Sequence, residues 1–150
     1  MADLDGAREL GLRESGLAVV ATSRGDGSVQ ASVVNAGVVD HPTTAEPVVG
    51  FVVARQRARK LTNLRAHPYV TVVFRSGWEW VAVEGHAELA GPDDPPEGLE
   101  AADISAVLRV VYAAAAGGSP EDWAALDESM AAEAHTAVLV RPQRVYSNPA

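Results

Sequence analysis

The stretch VVGFVVARQRARKLTNLRAHPYVTVVFR, residues 48–75, joins two apolar runs through a strongly basic segment. The runs Val48–Ala54 and Tyr69–Arg75 are short and rich in β-branched residues, which is typical of buried strands. Between them, Leu61 and Leu64 are three residues apart, and this spacing predicts a short helix that turns both side chains toward the core. The stretch therefore predicts a strand, a basic helix and a second strand.

Strand and turn signals continue on both sides of this stretch. Further strands are predicted at Leu17–Ser23, Ser28–Asp40, Trp80–Ala90, Thr136–Val140 and Arg144–Tyr146, with a hairpin turn at 24–27 and a bulge or kink at Gly85. Helices are predicted at 4–15, Ala101–Ala116 and Pro120–Glu133, the last with Ser119 as its N-cap. Strands in short succession, with a helical insertion at about 101–133, favour an antiparallel meander closed into a β-barrel with flanking helices.

Composition narrows the possible classes of protein. A chain of 150 residues with 47% hydrophobic residues is the size of one domain, so we expect a single domain over residues 1–150. The acidic N-terminal sequence and the lack of an apolar run of roughly 20 residues predict a cytoplasmic protein. The absence of cysteine excludes disulfides and thiolate chemistry.

The side chains supply no complete catalytic set. The histidines are isolated at turns and element edges, which indicates surface or structural roles and no metal site: they are His41, His67, His86 and His135. No nucleophile elbow, Walker loop or dinucleotide-binding glycine motif is present. If the protein is an enzyme, a bound cofactor must therefore supply the reactivity.

Positive charge is concentrated in residues 55–65, although the chain has a formal net charge of −8. This segment has no acid and holds five of the twelve lysines and arginines, namely Arg55, Arg57, Arg59, Lys60 and Arg65. A cluster at the start of a helix favours an anion, because the backbone N–H groups there are unpaired. The alternative is a solvated helix face. The acidic remainder disfavours nucleic acid, so we expect a phosphorylated cofactor.

Three segments of the sequence carry a family resemblance. Arg59-Lys60 followed by His67-Pro68 is similar to the R-K…N-P segment of the pyridoxamine 5′-phosphate oxidase-like split β-barrels. The segments ATSRGDGSVQASVV (21–34), ARKLTNLRAHPYVTVVF (58–74) and GWEWVAVEGHAEL (77–89) resemble the actinobacterial flavin/deazaflavin-dependent oxidoreductases of that superfamily, the branch that uses coenzyme F-420. The resemblance covers nearly the whole chain.

This resemblance implies a homodimeric split β-barrel with two cofactor sites at the subunit interface. It places the cofactor phosphate on Arg59 and Lys60, with Arg57 and Arg55 nearby, and the ring system along the second strand. The residues implied to contact the rest of the cofactor are Ser32, Val33, Val34 and Asn35 on that strand, Ala54 at the end of the third strand, and Trp80.

Several of these residues have an ordinary structural alternative. Trp80 fits a core position as well as a cofactor contact, and Trp78 fits the core or an interface. Asn35 also fits a polar residue that points into the barrel and forms its hydrogen bonds with a neighbouring strand. The charge of Arg65 fits a role in complementing the dipole at the C-terminal end of the helix. Tyr146 fits a side chain that packs on a strand as well as it fits a proton donor.

The reaction implied by the resemblance is hydride transfer from reduced deazaflavin to a small conjugated or quinone-like acceptor. Basic residues beyond the needs of one phosphate are consistent with the anionic oligoglutamate tail of a deazaflavin. An FMN-binding oxidoreductase and a non-catalytic cofactor carrier are the alternatives. The sequence shows no residue set for gripping a pyridoxal-type phosphate substrate, which disfavours vitamin B6 oxidation.

Overall fold

The computed structural model describes residues 2–54, 59–116 and 120–148. Within these residues the chain forms four helices and six strands. Their order is α1 (Leu4–Arg13), β1 (Leu17–Ser23), β2 (Val29–Asp40), β3 (Pro47–Val53), α2 (Arg59–Ala66), β4 (Tyr69–Ser76), β5 (Glu79–Ala90), α3 (Ala101–Ala116), α4 (Trp123–Ala132) and β6 (Thr136–Ser147).

The strands close into an antiparallel barrel in the order β1-β2-β3-β6-β5-β4. This confirms the predicted barrel with flanking helices, but the expectation of one continuous meander is wrong. Two three-stranded meanders meet instead, because β3 pairs with β6 and β4 pairs back to β1. Helix α2 connects β3 to β4 and packs against β1. Closure leaves no unpaired sheet edge.

The interior of the barrel follows the two-residue alternation of the strands. Phe51 and Phe74 are fully buried there among small aliphatic side chains. Leu61 and Leu64 of α2 are each 2% exposed and belong to the same cluster, which confirms the predicted core-facing stripe. Helix α1 adds Leu10 to this cluster. The barrel and its first two helices thus share one core.

Helices α3 and α4 pack on the outside of the barrel. Val107, Val111 and Met130 form a second apolar cluster with outward residues of β2, β3 and β6. The contact between α3 and β2 is very close at Gly37, where a Cβ atom would lie 2.6 Å from the carbonyl carbon of Ala114. Only glycine leaves room for the helix backbone at this point.

Local boundaries refine three predictions. Helix α1 ends at Arg13. Helix α4 begins at Trp123, where the carboxylate of Asp122 accepts a hydrogen bond of 3.1 Å from the backbone N–H of Ala125. The predicted cap, Ser119, lies outside the described residues. Asp122 takes this role because its oxygen satisfies an otherwise unpaired N–H of the first helical turn.

The final strand is continuous, so the prediction of two separate strands is wrong. A bulge between Glu84 and Gly85 shifts the register and pairs Gly85 with Pro142. Pro142 lacks an N–H, and a bulge is a place where a strand tolerates proline. The extra residue is Gln143 of β6, so the irregularity predicted at Gly85 is a bulge in the facing strand, and a Cβ atom on Gly85 would lie 1.9 Å from the carbonyl oxygen of Arg141.

None of the helices in the described parts of the chain has the length and apolar character needed to cross a membrane.

Candidate cofactor site

A cavity of about 550 Å³ lies where α3 and α4 cover the outer faces of β2 and β3. Its floor comes from the middle of β2 and the end of β3, and Lys60 of α2 closes one side. Its other walls carry polar and titratable side chains from the helical pair and the segment before β6: Tyr112, Ser129, Glu133 and His135. The volume falls within the range of small-molecule sites, roughly 300–1,000 Å³.

Five of the predicted cofactor residues line this cavity. They are Val33, Val34, Asn35, Ala54 and Lys60. Three others are described elsewhere: Ser32 and Trp80 lie on strands, and Arg59 opens α2, but none belongs to the cavity wall. Arg55 and Arg57 lie outside the described residues. Residues far apart in sequence, from β2, β3 and α2, thus meet at one place.

Lys60 gives the cavity its positive side. It is the second residue of α2, is partly buried, and reaches the cavity wall, while Arg59 before it is exposed. The first turn of α2 contains no acidic residue to offset this charge. Backbone N–H groups at a helix start favour an anion, so the arrangement fits a phosphate beside Lys60.

Arg65, the last basic residue of the cluster, has a different partner. Its guanidinium makes two hydrogen bonds to Asp94, with Nε–Oδ1 at 2.8 Å and Nη2–Oδ2 at 2.6 Å. The hydrogen bonds to the Asp94 carboxylate raise the pKa of Arg65. Arg65 therefore ties the end of α2 to the loop after β5, and we leave it out of the anion site.

Asn35 is an outward-facing residue, contrary to the alternative that it points inward. Its side chain is exposed and its Nδ2 donates a 2.9 Å hydrogen bond to the backbone carbonyl of Ser15. Ser15 itself has a positive φ of 56° and also lines the cavity. The bond fixes the orientation of the Asn35 amide at the cavity wall.

Ser32 lies on the opposite face of β2. Two residues earlier, Gln30 accepts a 2.9 Å hydrogen bond from Asn63, which also donates to Thr22 at 3.1 Å. The Ser32 Oγ atom is enclosed and has no hydrogen-bond partner among the described residues. An unsatisfied buried hydroxyl costs about 1–3 kcal/mol. Because strand side chains alternate, the Ser32 side chain points away from the cavity, and only the Ser32 backbone can contact a molecule bound there.

The two tryptophans of the β4–β5 hairpin have different environments. Trp78 is 93% exposed in the turn, so the expectation of a core position is wrong, because the tight turn carries the residue beyond the end of the barrel. Trp80 is partly buried and meets Tyr146 edge to face, with ring centroids 5.9 Å apart. Tyr146 is 38% exposed and does not line the cavity.

An apolar row crosses the outer face of the barrel. The cross-strand pairs join, in order, Val33, Val19, Val73, Ala82 and Tyr146. Val33 is 63% exposed and Val19 is 40% exposed. Val33 belongs both to this row and to the cavity wall, so the cavity opens beside the exposed apolar face.

The sequence analysis missed Tyr112, Ser129, Glu133 and His135. The helix prediction located these residues on the correct elements or at their ends, but it could not show that the helices cover β2 and β3. The sequence features that could have indicated this packing are the glycines of β2 and β3. Like Gly37, Gly50 faces α3 closely, because a Cβ atom added to Gly50 would lie 3.2 Å from side-chain carbons of Val111.

Residues 4–148 match the family described as pyridoxamine 5′-phosphate oxidase. No curated protein matches the chain significantly. Among solved structures, a conserved hypothetical protein of Mycobacterium tuberculosis is 19% identical with a TM-score of 0.70, and the match covers 98% of this chain and 84% of that chain.

Two further structures illustrate the range of ligands in this fold. A pyridoxamine 5′-phosphate oxidase-related, FMN-binding protein of Nostoc punctiforme is 17% identical with a TM-score of 0.63, over 96% of this chain and 78% of that chain. A heme storage protein of Vibrio cholerae is 12% identical with a TM-score of 0.58, over 97% and 94%. At these identities the likeness shows a common fold.

Proposed function

The chain belongs to the pyridoxamine 5′-phosphate oxidase family, and from this we propose that it is an oxidoreductase that uses a deazaflavin, coenzyme F-420, to reduce a small conjugated or quinone-like acceptor. The observation that carries the proposal is the cavity in which Val33, Asn35, Ala54 and Lys60 meet. When bound, the cofactor supplies a hydride, and the residues of the chain bind and orient it.

The residues present fit a phosphorylated ring system. Lys60 and the start of α2 offer a positive site for the phosphate, and we assign Arg59, Arg57 and Arg55 to the same anionic group and its continuation. Val33 and Val52 offer apolar surface for the ring, and Asn35 holds a fixed amide beside it. Apolar walls with a few placed polar groups are typical of cofactor sites.

The preference for a deazaflavin rests on the number of cations. Apart from Arg65, which pairs with Asp94, the sequence has four basic residues at positions 55–60, which is more than one phosphate requires. An oligoglutamate tail beyond the phosphate would use the additional charge. FMN, which ends at its phosphate, is the second candidate, and the FMN-binding protein of Nostoc punctiforme shares the fold.

We further propose that the chain acts as one domain of a homodimer. Val33, Val19 and Tyr146 of the apolar row are 63%, 40% and 38% exposed in the single chain, and burial against a second copy would remove them from water. The cavity adjoins this row through Val33, so a second copy would complete its open side. Trp80, on the same outer face, would then reach the cofactor of the partner.

Titration of the purified full-length chain with F-420, FMN and heme tests the proposal. We expect spectral changes that saturate with F-420 and weak or no binding of FMN and heme. Tighter binding of FMN would make the protein a flavin oxidoreductase, and tighter binding of heme would reject the redox function proposed here. Turnover with enones and quinones then separates an enzyme from a cofactor carrier, because a carrier binds F-420 without reducing any acceptor.

A further inference from the structure

The part of the cavity wall supplied by α4 and the segment before β6 carries groups that can hold a proton. We propose that His135 donates the proton that completes reduction of the acceptor, and that Glu133 is its positioning partner. The inference rests on the proposed function and names a residue for a step that the sequence left without a donor.

The register of the sheet places His135 beside the cofactor position. Val53 of β3 pairs with Thr136 of β6, so the next residues along each strand, Ala54 and His135, lie opposite one another. Side chains opposite one another in an antiparallel pair lie on the same face of the sheet. Both residues line the cavity, and Ala54 marks the end of the proposed ring and phosphate site.

The contacts of the imidazole define where its protons reside. Nδ1 lies 3.4 Å from the backbone carbonyl oxygen of Met130, which can only accept a hydrogen bond, so Nδ1 carries a proton. Nε2 lies 3.6 Å from a carboxylate oxygen of Glu133. A proton on Nε2 therefore faces a carboxylate that can orient the ring.

His135 is held in place but remains accessible. Its side chain is 19% exposed, and the next residue, Thr136, is 1% exposed in the barrel wall. Glu133 is 46% exposed, so solvent can return a proton after each turnover. A rigid backbone with a partly exposed ring suits a group that must present one proton at a fixed position.

The other titratable groups of the cavity suit this role less well. Lys60 lies on the side assigned to the phosphate, and Glu133 is the partner of the His135 ring. Tyr112 lies on α3, whereas His135 lies beside Ala54 at the end of the proposed ring and phosphate site. Tyr146, the donor considered from sequence, lies outside the cavity wall.

Reduction of a conjugated ketone requires one hydride and one proton, and His135 supplies the proton. If a bound reduced cofactor supplied a hydride to the β-carbon of the acceptor, a C–H bond would form there and the cofactor would be oxidised by two electrons. The C=C π pair would become the bond between the α-carbon and the carbonyl carbon, and the C=O π pair would move to oxygen, so that O-protonation gives the enol, which isomerises to the saturated ketone in water. The Nε2–H bond of His135 breaks, an O–H bond forms, and the imidazole becomes neutral. The acceptor gains two electrons and two hydrogens, and the imidazole recovers its proton from water.

The test compares His135→Gln with His67→Gln, a matched change at an exposed histidine outside the cavity. With the cofactor-loaded protein, single-turnover reduction of a cyclic enone is followed against pH. We expect His135→Gln to lower the rate about 100-fold to 10,000-fold and to flatten its decline at high pH. The dissociation constant of F-420 should stay within twofold. Glu133→Gln should lower the rate by less than His135→Gln does, because the imidazole remains but loses the partner that orients it.

A second readout needs no cofactor. Calorimetry measures binding of 4-cyanophenolate, which resembles the oxyanion of the step above, to the full chain. We expect His135→Gln to weaken this binding at least tenfold and His67→Gln to leave it unchanged.

If wild type fails to bind any flavin-type cofactor, the proposed function fails, and the phenolate result still decides the role of His135. Unchanged phenolate binding, or a single-turnover rate within threefold of wild type, would overturn the inference. A slow Tyr112→Phe variant beside a normal His135→Gln variant would assign the proton to Tyr112.

Discussion

Replacement of Gly37 by alanine tests whether α3 is seated on β2 as closely as the structure shows. An added Cβ atom would lie 2.6 Å from the carbonyl carbon, 2.7 Å from the carbonyl oxygen of Ala114 and 2.9 Å from the backbone nitrogen of Ala115. All three atoms belong to the helix backbone, so no side-chain rotation relieves the contact. Helix α3 must therefore move away from β2 until these three distances reach ordinary van der Waals contact.

The expected cost is that of forcing a methyl group into a packed contact, about 1–3 kcal/mol of the free energy of unfolding. For a chain of this size the Tm should fall by roughly 2–4 °C for each kcal/mol. Because α3 also supplies Tyr112 and Ala115 to the cavity wall, cofactor affinity should fall together with stability.

Urea unfolding and cofactor titration of the same preparations check both effects. Gly25→Ala is the matched control, since nothing lies within 4 Å of its added Cβ atom, and its stability should change by no more than about 0.5 kcal/mol. A Gly37→Ala variant as stable as wild type, with unchanged affinity, would mean that α3 does not lie against β2 in this way.

Three further predictions follow from individual contacts. The double change Arg59→Ala and Lys60→Ala should weaken cofactor binding by about 2–5 kcal/mol in a titration, and an unchanged affinity would place the phosphate elsewhere. The hydrogen bonds of Arg109 lower the pKa of Asp127, so Asp127→Asn should reduce the urea midpoint at pH 7. This loss should shrink as the pH falls below about 4, where the wild-type carboxyl also becomes protonated, and a pH-independent loss would contradict the assignment. Ser32→Ala removes the unsatisfied hydroxyl, so the free energy of unfolding without cofactor should stay equal or rise by up to about 1 kcal/mol, and a clear loss would reveal a missed partner.

Local sequence signals predicted the elements of the fold well. The spacing of Leu61 and Leu64 identified the buried stripe of α2, and Gly85 marked the place where β5 faces the bulge of β6. These features depend on a few neighbouring residues, so a pattern in the sequence can reveal them. The pairing of β3 with β6 and of β1 with β4 depends on contacts between distant segments, and no local pattern specifies them.

The residues of the site also divide into those that the local sequence reveals and those whose position depends on pairing between distant segments. The basic cluster and the second strand could be identified from charge and from resemblance, and Lys60 and Asn35 do meet at one cavity. His135 could not be identified, because its position opposite Ala54 follows from the β3–β6 register alone. The outward direction of Asn35 likewise depended on which face of β2 the barrel encloses.

The most direct test of the central claim is a crystal structure of the full chain with F-420 bound. The account predicts the phosphate within hydrogen-bond distance of Lys60 at the start of α2, and the ring over Val33 and Asn35 with His135 facing it. A cofactor bound on another surface, with the cavity between α3, α4 and the barrel left empty, would contradict it.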